Sequence, residues 1–239
     1  MGKRARVTAS LAAAALLAAA VAWRVSKSRT WQIAGELVAR VDTGERRVAL
    51  TFDDGPSPER VDEVLGVLAA RKIHATFFVV GARVEEDPES LRRIVLAGHE
   101  AGNHSFSHRR MLFHGWDFVG SELTRTDALI RAAGFEGEIR FRPPFGKKLV
   151  VLPVWLARHH RVTVMWDVEA EADASRGTDA ASIRDYVLAN ARPGSIILFH
   201  VWPASRAPER AALPEVLDGL QARGFEVGTV GELLAARRQ

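Results

Sequence analysis

From Arg47 onward, short apolar runs of strand length alternate with amphipathic stretches of helical period, with Gly, Pro or Asp between them. No other feature constrains the fold as strongly. It calls for parallel strands joined by helical crossovers, and so for a sheet covered on its outside by helices. Strands are expected over 47–50, 75–80, 99–105, 139–142, 162–166, 195–199 and 225–227. Helices are expected over 58–72, 87–96, 118–133, 149–160, 179–191, 208–223 and 230–237. An incomplete (β/α) barrel of about seven strands fits this order, with an open doubly wound sheet as the alternative. There is no Gly-rich phosphate loop, which argues against a nucleotide fold.

The chain has no Cys, so any metal must be held by His and carboxylate. Its net charge of +4 is concentrated at one end. Residues 1–30 carry Lys3, Arg4, Arg6, Arg24, Lys27 and Arg29 and no acid, so the remainder is slightly acidic. No basic stripe with interleaved aromatics follows, which argues against a nucleic-acid partner. No obligate protein partner is evident.

Within the basic end, residues 7–23 are uncharged and mostly Ala and Leu. As a helix they would reach about 25 Å, slightly short of a hydrocarbon core of about 30 Å. Two readings compete. One is an uncleaved signal anchor, its Lys3/Arg4/Arg6 end kept in the cytoplasm. The other is a signal peptide cleaved after Ala20-Val21-Ala22. Both place the rest of the chain outside the cytoplasm, and the membrane anchor is the first expectation. The organisation expected is an N-terminal hydrophobic helix in 1–30, a juxtamembrane connector in 31–45 and one domain over 46–237.

The first strand runs into Thr51-Phe52-Asp53-Asp54-Gly55-Pro56-Ser57-Pro58. Neighbouring strand side chains face opposite ways, so Asp53 and Asp54 can share a pocket only where the strand ends and turns. Gly55-Pro56 supplies the turn, and Ser57-Pro58 reads as a helix N-cap with Pro at the first helical position. Alone, an Asp-Asp-Gly is far more often a solvated turn. The residues after the other strands change that weighing. They are Asn103-His104-Ser105-Phe106-Ser107-His108, Arg142-Pro143-Pro144-Phe145-Gly146, Asp167-Val168-Glu169 and His200. In a parallel barrel these ends converge on one rim. His104 and His108, four apart, would share one face of a helical turn and could grip one ion. With eight His, chance supplies such a pair in about one chain in four, so the pair counts only with a carboxylate beside it. Two His and one carboxylate suit zinc or another borderline divalent metal, with a place left for water.

Together these blocks resemble the polysaccharide deacetylases with a NodB-type homology domain, carbohydrate esterase family 4. TFDDGP at 51–56 resembles the family's first motif, HSFSH at 104–108 its second, RPPFG at 142–146 its third and LFH at 198–200 its fifth, in the family's order. The resemblance implies a deformed (β/α)7-type barrel over 46–237. It implies a metal-dependent hydrolase that removes N-acetyl groups from N-acetylglucosamine-containing polysaccharide at the cell envelope. Asp54, His104 and His108 would bind the metal, and Asp53, held by Arg142, would be the general base. His200 would be the general acid, the Phe145 N–H an oxyanion donor, and Leu198 the lining for the acetyl methyl. Pro144 and Trp166 would belong to the substrate site. The fourth motif departs from the family pattern: Trp166-Asp167-Val168-Glu169-Ala170-Glu171-Ala172-Asp173 has no following Trp. Glu169 is the best-aligned partner for His200, with Asp167 as runner-up. Two other functions stay open. One is a xylan-type O-acetyl esterase, which would lean less on His200. The other is a catalytically silent wall-glycan binding protein, suggested by the altered fourth motif.

Overall fold

The computed structural model describes residues 3–171, 175 and 177–238, with side chains from residue 10 onward. In chain order it has α1 (Lys3–Ser26), β1 (Leu37–Val38), β2 (Arg47–Gly55), α2 (Val61–Ala69), β3 (Thr76–Val79), α3 (Gly81–Glu86), α4 (Pro88–Leu96) and β4 (Glu100–Asn103). There follow α5 (Trp116–Ala132), α6 (Val151–Arg158), β5 (Thr163–Val164), β6 (Val168–Ala170), α7 (Ala180–Asn190), β7 (Ile196–Phe199), α8 (Ala207–Ala222), β8 (Glu226–Gly228) and α9 (Val230–Ala235). Among the described residues no helix is long and apolar enough to cross a membrane.

Every strand-to-strand pairing is parallel, as the alternation required. The main sheet runs β4-β3-β2-β7-β6, with β8 also on β2. β8 takes Arg47–Ala49 and β3 takes Thr51–Gly55, so these two share one edge of β2, and β7 takes the other. β1 and β5 form a separate pair. Leu37 and Val38, in the expected connector, are thus strand residues aligned with Thr163 and Val164.

The expected seven-stranded barrel is not a continuous ladder. Residues 139–142, expected as a strand, join β4 to β5 only through Phe141, by single bridges to Asn103 and Thr163. Pro143 and Pro144 have no N–H to donate, so pairing cannot continue past Arg142. The expected strand 162–166 shortens to β5, and β6, which was not expected, follows after a bend at Asp167. At the bend, Asp167 accepts the Ile196 N–H and the Ser195 hydroxyl, both at 2.9 Å.

Alternation along the strands sorts the core into two faces. Val48, Leu50 and Phe52 of β2 join the outer cluster with Val64 of α2, Ile94 of α4 and Leu217 of α8. Ala49 joins the inner cluster with Phe78, Trp166, Ile196 and Leu198. Thr51 and Asp53 continue this inward row on β2, and His200 continues Ile196 and Leu198 on β7. On β6, Val168 and Ala170 lie in the outer cluster, so Glu169 faces in. The register aligns Glu169 with Leu198 and Leu198 with Thr51, one layer beneath Asp53 and His200.

One buried group makes the fold sensitive to acid. His99, between α4 and β4, is 5% exposed and accepts the Ala75 N–H at 3.2 Å through Nδ1. Burial, with His74 alongside, pulls its pKa from 6.5 down to about 4. The unfolded chain therefore binds the proton first. Stability from a neutral His99 is present above pH 6.5 and is lost as the pH falls towards 4. The loss by pH 5 should be about 2 kcal/mol. Urea unfolding of His99→Gln, which keeps an acceptor, should show a flatter stability curve over this range. A slope equal to the wild type's would exclude His99 as its source.

Candidate metal centre and active site

The site begins where the pleat of β2 breaks. The register between β2 and β3 shifts between Phe52 and Gly55, and Asp54 is left-handed at φ +70°. Asp54 thereby escapes the outward place that alternation would give it, and both acids open onto one cavity. The strand need not end to achieve this; it extends to Gly55 and bulges. Ser57 is not the N-cap of α2. Its carbonyl accepts from Arg60 and Val61, and the helix starts at Val61.

Asp53 is buried, and its Oδ1 takes a 2.6 Å hydrogen bond from Arg142 Nη1. Arg142 is fully buried. Its Nη1 also reaches Thr51 Oγ1 at 2.9 Å, Nη2 donates to the Met165 carbonyl at 3.0 Å, and Nε to the Val164 carbonyl at 3.3 Å. Thr51 and Asp53 are two apart on β2, so alternation places both on the face that receives the guanidinium. The Phe78 ring lies 4.2 Å from the guanidinium carbon. Burial pulls the Arg142 pKa down, and the Asp53 charge opposes that pull.

His104 and His108 meet without the helical turn that their spacing suggested. They lie on a loop after β4, bent by left-handed Ser105 (φ +64°) and His108 (φ +53°). Glu122 of α5 pins the loop by accepting the Phe106 and Ser107 N–H groups at 3.1 and 2.8 Å. Asn103 Oδ1 accepts from Ser105 N, and Ser105 Oγ from His108 N. Glu122 was missed in the sequence. Its only signal was an acid on the buried stripe Val119, Leu123, Thr126 and Ile130.

His104 Nδ1 sits 2.7 Å from the Arg142 carbonyl. It must donate there, which leaves Nε2 with a free lone pair. That Nε2 is 3.4 Å from Asp54 Oδ1 and 3.7 Å from Asp53 Oδ2; His108 Nε2 is 2.9 Å from Asp54 Oδ1. Yet no donor is aligned on Asp54 Oδ1, a buried carboxylate oxygen. One atom from each of Asp54, His104 and His108 lies within 4.8 Å of the others. A buried orphan oxygen facing two imidazole nitrogens is a donor set that a divalent cation would satisfy. Burial works against an ionised Asp54, but the two imidazoles outweigh it and hold its pKa well below the usual range. Burial likewise works against a charged His104, but Asp53 and Asp54 outweigh it and raise its pKa. The pocket therefore favours positive charge.

The cavity above these groups is about 300 Å³ and is also lined by Phe145, Trp166, Glu169, His200, Arg29 and Arg206. His200 Nε2 is 3.9 Å from Asp54 Oδ2. Phe145 is left-handed at φ +57° and its ring packs 4.7 Å from that of His108. Of seven non-Gly residues with positive φ among those described, Asp54, His108 and Phe145 line this cavity and Ser105 lies on the loop between its two histidines, where backbone strain characteristically collects.

Three expectations need correction. Glu169 does not hold His200: its Oε2 accepts from Arg29 Nη2 at 2.6 Å and from Trp166 Nε1 at 3.0 Å. Asp167 is committed to Ser195 and Ile196, and His200 Nδ1 is buried with no partner among the described residues. Leu198 is buried in the inner cluster one layer below the cavity, because its register partner is Thr51 and not Asp53. Pro144 is buried and does not line the cavity. Asp173 of the fourth block lies outside the described residues.

Residues 40–164 match the family model described as polysaccharide deacetylase. The chain is 37% identical over 199 residues to a chitooligosaccharide deacetylase of Sinorhizobium fredii, covering 79% of this chain and 92% of that protein. A crystal structure of a peptidoglycan N-acetylglucosamine deacetylase superposes with a TM-score of 0.76 at 30% identity, covering 84% of this chain and 94% of that one. A carbohydrate esterase family 4 pseudoenzyme from Bacillus anthracis superposes with a TM-score of 0.74 at 28% identity, covering 84% and 70%.

Arg142→Met should destabilise the protein by about 3–5 kcal/mol in urea unfolding, because it leaves the Asp53 carboxylate buried and unpaired. Adding Asp53→Asn should recover part of that loss. Equal stability of wild type and the single variant would mean that the pair does not hold Asp53.

Proposed function

The chain belongs to the polysaccharide deacetylase family, a family of hydrolases, and on that premise we propose that it removes N-acetyl groups from N-acetylglucosamine-containing polysaccharide, releasing acetate. One observation carries this reading: a restrained carboxylate, Asp53, stands beside a separate Asp–His–His donor set on the wall of one cavity. Two adjacent acids held in different environments can take different roles.

In this reading Asp54, His104 and His108 hold a divalent metal, zinc by its preference for imidazole and carboxylate. When bound, it would supply a water acidic enough to ionise near pH 7 and a Lewis acid for the acetyl carbonyl. Asp53 takes the proton of the attacking water. Arg142 keeps that carboxylate oriented, with Oδ1 occupied and Oδ2 open towards the cavity. The Phe145 N–H, on a left-handed turn at the rim, receives the developing oxyanion. His200 gives its proton to the departing amine, which leaves poorly without one. Trp166 supplies part of the wall.

We also place the catalytic body outside the cytoplasm, carried there by the N-terminal segment as an anchor or as a signal cleaved after Ala22. The support is the uncharged run 7–23 between basic flanks, with Leu11, Leu16 and Leu17 exposed on α1. A second reading, a silent glycan-binding protein, draws on the unpartnered His200 Nδ1.

Acetate release from N-acetylglucosamine oligomers by the full chain should be abolished by a chelator and restored by zinc. Asp53→Asn should keep the metal and lose activity by about 10²–10⁴-fold. Loss of metal as well would reverse the roles of the two acids. Release from acetylated xylan alone would favour the esterase. Silence on the oligomers, on peptidoglycan and on xylan would favour the binding protein.

A further inference from the structure

Arg29 lies on the segment leaving α1, before the 40–164 stretch that carries the family match. It nevertheless lines the same cavity as Asp53, Asp54, His104, His108 and His200. Its Nη2 donates to Glu169 Oε2 at 2.6 Å, and its guanidinium lies 4.5 Å over the Trp166 ring. The Trp166 indole N–H is bound to the same Glu169 oxygen at 3.0 Å. One carboxylate thus fixes both the indole and the guanidinium stacked on it.

The segment is not a loose chain end. Ser26 is buried, and its carbonyl accepts the Lys148 N–H at 3.0 Å. The Lys148 ammonium, itself buried, donates to the Ser28 carbonyl. Ser28 Oγ accepts the Trp31 N–H at 3.1 Å. Burial pulls the Lys148 pKa down to about 8, a cost the fold carries to keep this strap in place. Anchored so, Arg29 still has a side chain 43% exposed. Among the described residues only its Nη2 has a hydrogen-bond partner, so Nε and Nη1 remain available at the cavity.

We propose that Arg29 is a substrate-binding residue of this site: its available N–H groups hold hydroxyl or acetamide oxygens of the N-acetylglucosamine chain, while Glu169 and Trp166 fix the guanidinium. A planar guanidinium offers several donors in a rigid fork, which suits the closely spaced oxygens of a sugar. Glu169 balances the charge, so an uncharged glycan can be held without leaving a bare cation in the wall. This also gives Glu169 a task other than His200. The inference rests on the deacetylase reading above.

The test uses the full chain loaded with zinc, with Arg29→Ala and Arg29→Lys compared on N-acetylglucosamine oligomers. Arg29→Ala should raise KM about tenfold with kcat within about twofold, and Arg29→Lys should fall between it and wild type. Calorimetric affinity of the metal-free proteins for the same oligomer should fall in the same order. An active Arg29→Ala with unchanged KM and affinity would overturn the inference and leave the deacetylase reading standing. So would a lower melting temperature with reduced kcat and unchanged KM, the mark of a structural role alone. A wild type that neither binds nor releases acetate from the oligomers or peptidoglycan would overturn the deacetylase reading, and this inference with it.

Discussion

The burial of Arg142 is the interaction on which the site depends. A guanidinium with no solvent exposure is tolerable only if each nitrogen has a partner, and here each does. The acceptors come from separate parts of the chain: the inward face of β2, the end of β5 and the bend after it. Arg142 itself sits between β4 and β5, on a segment that pairs through Phe141 alone. Its side chain therefore ties together what backbone pairing leaves open. The carboxylate it holds, Asp53, is the one proposed to move a proton. The contact that joins these segments is the one that, in the proposed mechanism, also orients the carboxylate.

The rest of the rim is arranged by departures from regular structure. A bulge turns Asp54 to the inside, and left-handed residues fold the His104–His108 loop back on itself. Such conformations cost energy and persist only when neighbours enforce them. Glu122, Asn103 and the Ser105 hydroxyl do so through hydrogen bonds to the loop backbone.

Much of this was legible in the sequence. Alternating apolar runs called for a parallel sheet under helices, and polar residues at the strand ends pointed to one rim. Asp53, Asp54, His104, His108, Arg142 and His200 do meet there, because each lies at or just after a strand end or, for Arg142, the Phe141 bridges. What was not legible depends on register and on distant partners. Leu198 could be placed on an inward face, but its depth follows from pairing with Thr51, which sequence does not reveal. Glu169 could be placed at a strand end, but its partner Arg29 is 140 residues away. Residues 139–142 have strand composition and neighbours on both sides, but Pro143 and Pro144 cut the pairing down to single bridges at Phe141. The four-residue spacing of His104 and His108 suggested a helical turn, but a loop with two left-handed residues brings the same pair together.

The central claim is that Asp54, His104 and His108 are a metal site while Asp53, one residue away, is not a ligand. Anomalous diffraction at the zinc edge from crystals of the full chain grown with zinc tests it most directly. The account predicts one strong peak bounded by Asp54, His104 Nε2 and His108 Nε2, with Asp53 still on Arg142. A peak bound to Asp53, or none at this cavity, would contradict it.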